Sequence, residues 1–351
     1  MKTNWLTFAI ISSLSLGILL VFGAVKNGSK AHNSAINNHS CSNAWGFFGH
    51  KRINRMAVFT LPPEMVGFYK LHIEYITEHA VDPDKRRYAV EGEAPRHYID
   101  IDHYGKDGVS PFDEVPRFWF RAVEKYSEDT LQAYGIVPWY LNEMMNKLTY
   151  AFKSKNVDLI LKYSADLGHY VGDAHVPLHT TTNYNGQLTN QYGIHGLWES
   201  RLPELFSENY DYFVGKATYV KSVIDYAWDV VYVSHMCVDS VLLIERELTA
   251  ELPEDIKYVY ETRGASTMRT YSKEFSQMYH LRLNQMVERR LKASILGVGS
   301  MWYTAWVNAG QPDLNILANI KPTEQLELDK QELNEEFNKK KAKGRVCEHD
   351  H

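Results

Sequence analysis

The chain has 351 residues, 44% of them hydrophobic and 23% charged, which suffices for one large globular domain or two smaller ones and excludes a disordered protein. Its formal net charge of −5 and the lack of a long basic block argue against nucleic-acid affinity that comes from a fixed positive surface. Cys41, Cys237 and Cys347 are far apart with no CxxC, so neither a disulfide framework nor a cysteine-based metal ribbon is indicated, and any metal must rest on histidines and carboxylates.

In chain order, Met1-Lys2-Thr3-Asn4 is followed by an apolar run from Trp5 to Val25, which fits a signal peptide or an uncleaved membrane anchor. Both imply export, to the periplasm or outside the cell, with a membrane tether through residues 5–25 in the second case. A polar linker from Lys26 to Asn43 follows. Ser42-Asn43-Ala44 satisfies the small-residue cleavage rule, although it lies far beyond the apolar run, and processing just before Trp45 is the expectation.

From Leu61 onward the apolar pattern is helical almost throughout, and strand alternation is scarce. A helix starting near Asn156 carries Val157, Ile160, Leu161, Ser164, Ala165 and Gly168 and is stopped by Pro177. Val223, Ile224, Ala227, Val230, Val231, Val233, Val238, Val241 and Leu242 keep helical spacing. Another helix is expected from about Ser266 to Asn308, broken near Gly297 and Gly299. Loops are expected at Asp82 to Pro95, Tyr104 to Pro116 and Thr180 to Gly196. With no repeat and no composition shift, residues 45–319 read as one all-α, multi-helix domain. Residues 1–44 form the leader and linker, and 320–351 a charged tail that is disordered or a solvated helix.

The strongest local signal is Gly168-His169-Tyr170-Val171-Gly172-Asp173-Ala174-His175-Val176-Pro177-Leu178-His179. On a helix His169 and Asp173 share a face, and Pro177 turns the chain so that His179 can approach from the following loop. His195 and Glu199 repeat the four-residue offset, and imidazole with carboxylate is a ligand mix that suits zinc. Upstream lie His97 in Pro95-Arg96-His97-Tyr98-Ile99-Asp100, the acids Asp82 and Asp84, and Trp45-Gly46-Phe47-Phe48-Gly49-His50. Any one such pair is more often a surface contact, and a lone buried histidine is usually a hydrogen-bonded core residue. Of the fifteen histidines, His32, His39, His72, His79, His103, His235, His280, His349 and His351 are read in that ordinary way. His175 lies inside the motif but off the metal face.

Trp-Gly-x-x-Gly-His, His-Tyr-Ile-Asp, Gly-His-x-x-Gly-Asp-x-x-x-Pro-Leu-His and His-x-x-Trp-Glu, in this order, resemble the superfamily of zinc-dependent phospholipase C and the P-one/S-one nucleases. The resemblance spans Trp45 to Glu199 and implies a helical fold and three zinc ions. One ion would be held by Asp84, His97, His169 and Asp173, with Asp173 bridging to a second that also takes His50 and the amino and carbonyl groups of Trp45. The third would take His179, His195 and Glu199. Asp82 rivals Asp84, which is preferred because Arg87 then stands three residues on, as an arginine does in the nucleases. If residues 1–44 stay attached, Trp45 has no free amine, and two zincs rather than three are expected to bind firmly.

Such a cage is locally positive in an acidic protein and would draw phosphate. It activates water for in-line attack on phosphorus, with Asp173 at its centre and Arg87 holding charge on the equatorial oxygens. Tyr98 and Asp100 match the positions with which the nucleases stack on a base and accept from its edge, although Tyr98 is equally readable as core packing. Glu199 and the short step from His179 to His195 resemble the phospholipases instead. The expectation is therefore an exported zinc-dependent phosphodiesterase acting on single-stranded nucleic acid or nucleotides, with phospholipid head groups as the alternative substrate. From another class, a metal-stabilised, membrane-anchored binding protein without catalysis is the remaining alternative. No protein partner is inferred.

Overall fold

Apolar residues at helical spacing become helices that bury them: helix accounts for 70% of the structure and strand for 4%. The computed structural model describes residues 46–106, 108–263 and 266–339, all within the unit Ser40–His351. The expected leader and cleavage site, Trp45 and the last residues of the tail lie outside the described residues.

The site is positioned by four helices: α1 (Gly46–Ala57), α2 (Asp82–Ala89), α3 (Val137–Ser154) and α4 (Val157–Ala174). The side chain of Asn156 caps α4 by accepting from the Leu159 amide at 3.0 Å, and the helix ends ahead of Pro177, as the pattern predicts. Every residue of α4 from Ser164 to Ala174 is buried, so this helix is the axis of the domain rather than a surface element. Gly168 and Gly172 lie on its face towards α1. A Cβ on Gly168 would stand 2.0 Å from Asn54 Oδ1, and one on Gly172 would stand 3.1 Å from His50 Nδ1. Glycine is therefore what lets α1 come close enough to bring His50 to the α4 donors.

Further along, α5 (Val223–His235) and α6 (Val238–Glu251) bury Trp228, Val231 and Leu248. Taken together, Val223–Glu251 is also long and apolar enough to cross a membrane by length and composition. The expected helix from Ser266 is corrected. Ser266–Tyr271 is a strand, β2, paired antiparallel with β1 (Tyr258–Arg263). The threonines and tyrosines of both segments suit a strand, and Tyr271, buried, locks the hairpin to the helical body. A short helix, α7 (Lys273–Arg282), follows, and then α8 (Met286–Asn308), which runs unbroken through Gly297 and Gly299. These glycines do not break the helix but permit contact. A Cβ on Gly297 would fall 2.2 Å from the Tyr226 hydroxyl, and one on Gly299 would fall 1.9 Å from Thr60 Oγ1.

The loop expected from Asp82 to Pro95 is likewise corrected, because its first half is α2. Pro83 stands at the start of that helix, where it lacks no bond, and Asp82 and Asp84 occupy the first turn, where negative charge is favoured. In the charged tail, α9 (Glu324–Asn338) packs on α2. It buries Leu326 and Phe337 and sets the Phe337 ring 5.0 Å from Tyr88 and 6.0 Å from Phe47.

Candidate metal centre

Six elements deliver the donors. Buried α1 supplies His50, α2 supplies Asp84, α4 supplies His169 and Asp173 one turn apart, and the 3-10 turn Ala94–His97 supplies His97. The 3-10 turn Pro177–Thr180 returns His179 to the same place. His195 and Glu199 come from a helical segment whose turn Leu197–Arg201 is widened to π geometry, a distortion frequent at functional sites.

These residues form three buried groups: His50, His169 and Asp173; Asp84, His97 and His169; and His179, His195 and Glu199. Within each group the donor atoms lie within 4.8 Å of one another, and each group could hold a metal ion. His169 is common to the first two groups, and Asp173 of the first also reaches towards His97 of the second through its other oxygen. Asp173 Oδ2 is 2.9 Å from His97 Nδ1 and 3.2 Å from His169 Nε2, while its Oδ1 is 3.3 Å from His50 Nε2. Asp84 Oδ1 lies 3.7 Å from His97 Nδ1 and 3.6 Å from His169 Nε2. In the third group Glu199 Oε2 is 3.5 Å from His179 Nε2 and pairs closely with His195 Nε2.

The outward ring nitrogens are fixed by the fold. His169 Nδ1–H donates to the Ala80 carbonyl at 2.8 Å, and His179 Nδ1–H donates to the His97 carbonyl at 2.6 Å. Each leaves Nε2 as the lone-pair nitrogen facing the carboxylates, the arrangement seen when a second acceptor sets the tautomer of a metal ligand.

Electrostatics agree with a cation requirement. Burial disfavours charge on His169, but Asp173 and Asp84 overcome it and push the imidazole up to about 9. Burial likewise opposes the Asp173 and Glu199 carboxylates, yet the surrounding imidazoles hold both well below the usual range. Among the described residues, Asp84 Oδ2 and Asp173 Oδ1 are buried without a hydrogen-bond partner. Carboxylate oxygens left so in a protein interior fit a site that takes a divalent ion.

Asp82, the rival of Asp84, is engaged elsewhere: His79 Nδ1 stands 2.6 Å from its Oδ2 and Lys85 3.3 Å from its Oδ1. Arg87 is buried with Nε 3.9 Å from Asp84 Oδ1, beside the centre. Tyr98 and Asp100 follow His97 but are both only 6% exposed, and the Tyr98 hydroxyl donates to the Ala133 carbonyl at 3.4 Å. Trp45 lies outside the described residues, although Gly46 begins α1 directly beside the centre's first histidine turn.

Among the described histidines read as ordinary, none belongs to a donor group. His103 stacks on Tyr134, and His235 Nδ1 lies 2.9 Å from the Thr180 carbonyl. His175 Nδ1–H donates to the Val171 carbonyl at 2.7 Å, burial together with Arg290 pushes this ring down to about 3, and it belongs to none of the three donor groups. One residue escaped the sequence reading. Glu93 is fully buried beside His97, and the signal that could have found it is the same four-residue offset that marked the other pairs.

Neither a protein-family model nor a curated protein matches the chain, so what the centre can do is decided by its own residues.

Proposed function

We propose that this chain is an exported, zinc-dependent hydrolase of phosphodiester bonds, on a helical scaffold of the phospholipase C and P-one/S-one nuclease type. The observation that carries the reading is that His169 belongs to two donor groups while the Asp173 oxygens face His97 and His169 on one side and His50 on the other, with a third group of His179, His195 and Glu199. Paired and tripled divalent sites suit phosphoryl chemistry, and a donor set of imidazole and carboxylate without sulfur suits zinc. Bound there, zinc supplies Lewis acidity and lowers the pKa of water to near neutrality. The chain's own residues do the rest: the α4 donors hold the ions rigidly on a buried helix, and Arg87 offers a planar cation for anionic oxygens.

Single-stranded nucleic acid or nucleotide is the substrate proposed first. Phospholipid is the second reading, favoured by one surface feature: Phe118 and Phe120 are 61% and 63% exposed, and the Phe112 ring links exposed Tyr232 to His235 at the Thr180 carbonyl.

The test is metal analysis followed by product release from single-stranded DNA, RNA and phosphatidylcholine, with and without chelator. The expected result is bound zinc, chelator-sensitive release and a melting temperature several degrees higher in the loaded protein, since a ligand that binds only the folded state stabilises it by about 2.7 kcal/mol at a hundredfold excess over its dissociation constant. Zinc held without turnover of any diester would sink the hydrolase reading, and turnover of phosphatidylcholine alone would select the second substrate.

A further inference from the structure

Resting on the metal centre just proposed, we infer that Glu93 is a positioning residue that holds His97 with Nε2–H outward and Nδ1 free for the metal. The His97 ring stands between two sets of acids. On its inner side, Nδ1 faces Asp173 Oδ2 at 2.9 Å and Asp84 Oδ1 at 3.7 Å. On its outer side, Nε2 faces Glu93 Oε1 at 3.7 Å and, although buried, has no hydrogen-bond partner nearer among the described residues.

This ring is turned the opposite way from its neighbours. His50, His169, His179 and His195 all present Nε2 to the carboxylates of the centre. For His169 and His179, a backbone carbonyl at Nδ1 sets the tautomer. His97 has a side chain in that role, and a carboxylate is the stronger acceptor, raising the basicity of the ligand nitrogen as well as fixing it.

Glu93 is itself over-determined. The Tyr170 hydroxyl donates to its Oε1, Arg96 Nη1 donates to its Oε2 at 2.6 Å, and Arg86 Nε lies 3.5 Å from Oε1. Arg86 is tied in turn to Asp166 at 3.0 Å and to the Tyr170 hydroxyl at 3.2 Å. A fully buried carboxylate is costly unless paired, and these two arginines and a tyrosine satisfy it so completely that its position cannot drift. The same tyrosine belongs to α4, next to His169, so one helix places both the metal donors and the clamp on the residue behind them.

The test compares the wild type with Glu93→Gln, which keeps the shape and removes the charge. Zinc affinity is measured by competition with a chromogenic chelator, and ring nitrogens are followed by histidine 15N NMR of the zinc-loaded protein. The wild type is expected to show one imidazole metallated at Nδ1. In Glu93→Gln one class of zinc weakens by about 10–100-fold, the range for loss of a supporting partner, while the zinc at His179, His195 and Glu199 keeps its affinity. Tyr170→Phe, which frees one side of Glu93 without removing it, is expected to weaken the same class by a smaller factor. Unchanged affinity in Glu93→Gln overturns the role of Glu93 alone, as does equal weakening of every zinc, which would mark a merely structural residue. A wild type that binds no zinc overturns the metal centre itself.

Discussion

Asp173→Asn is expected to abolish diester hydrolysis, with a fall of at least about 10³-fold, or about 4 kcal/mol of transition-state stabilisation. The substitution keeps the size of the side chain but withdraws charge from two donor groups at once, because the two Asp173 oxygens serve His97 and His169 on one side and His50 on the other. Metal content should fall with activity, and circular dichroism should still report a helical fold. Asp82→Asn is the matched control. That carboxylate pairs with His79 and Lys85 and touches none of the donors named above, so its loss is expected to cost about 1 kcal/mol of stability and leave turnover within a few-fold. If the two variants lose activity equally, or if Asp173→Asn keeps it, the shared carboxylate is not the heart of the site.

Gly135→Ala is expected to destabilise the protein by about 3–5 kcal/mol, combining backbone strain with overpacking. Gly135 has φ 90° and ψ 152°, a conformation nearly closed to residues with a side chain. A Cβ there would also fall 2.2 Å from the Tyr98 carbonyl oxygen and 2.5 Å from the Tyr98 ring. The turn around Gly135 clamps the segment that carries His97: Ile136 N donates to the Pro95 carbonyl, Val137 N to the Tyr98 carbonyl and Asp100 N to the Tyr134 carbonyl, at 2.7, 3.1 and 2.7 Å. Chemical denaturation should therefore show the loss of stability together with weaker metal binding. Gly67→Ala, in the helix Pro63–Leu71 with open space around it, is expected to be neutral or slightly stabilising. Equal stability of the two variants would refute the clamp.

How far the sequence reaches differs from residue to residue. The α4 donors are legible because a four-residue offset on a helix is a geometric statement in itself, and the apolar periodicity around Ile160 and Leu161 says that the helix exists. Asp84 is harder to read because Asp-Pro-Asp looks like a turn, whereas proline at a helix start is at ease, and only the structure shows Asp82 spent on His79. Gly297 and Gly299 mislead for a related reason. A glycine pair announces a break unless a partner is known to press against it, and Tyr226 and Thr60 are distant in sequence. Ser266–Tyr271 is lost to helix because a lone two-stranded hairpin leaves little pattern beside so many helical turns. The tail's two apolar anchors, Leu326 and Phe337, are too few to form a visible stripe, yet both are buried. Glu93 is hidden by its company, since an acid among Glu91, Gly92 and Pro95 reads as solvated loop until its burial is seen.

The burial of α4 from Ser164 to Ala174 also bears on how the centre comes apart. Amides in the stretch Ser164–Ala174, which has no exposed residue, are expected to exchange only when the whole domain opens. His169 and Asp173 would then be surrendered only with the fold itself. Any ion bound to those two residues would leave at a rate set by global unfolding rather than by local fraying.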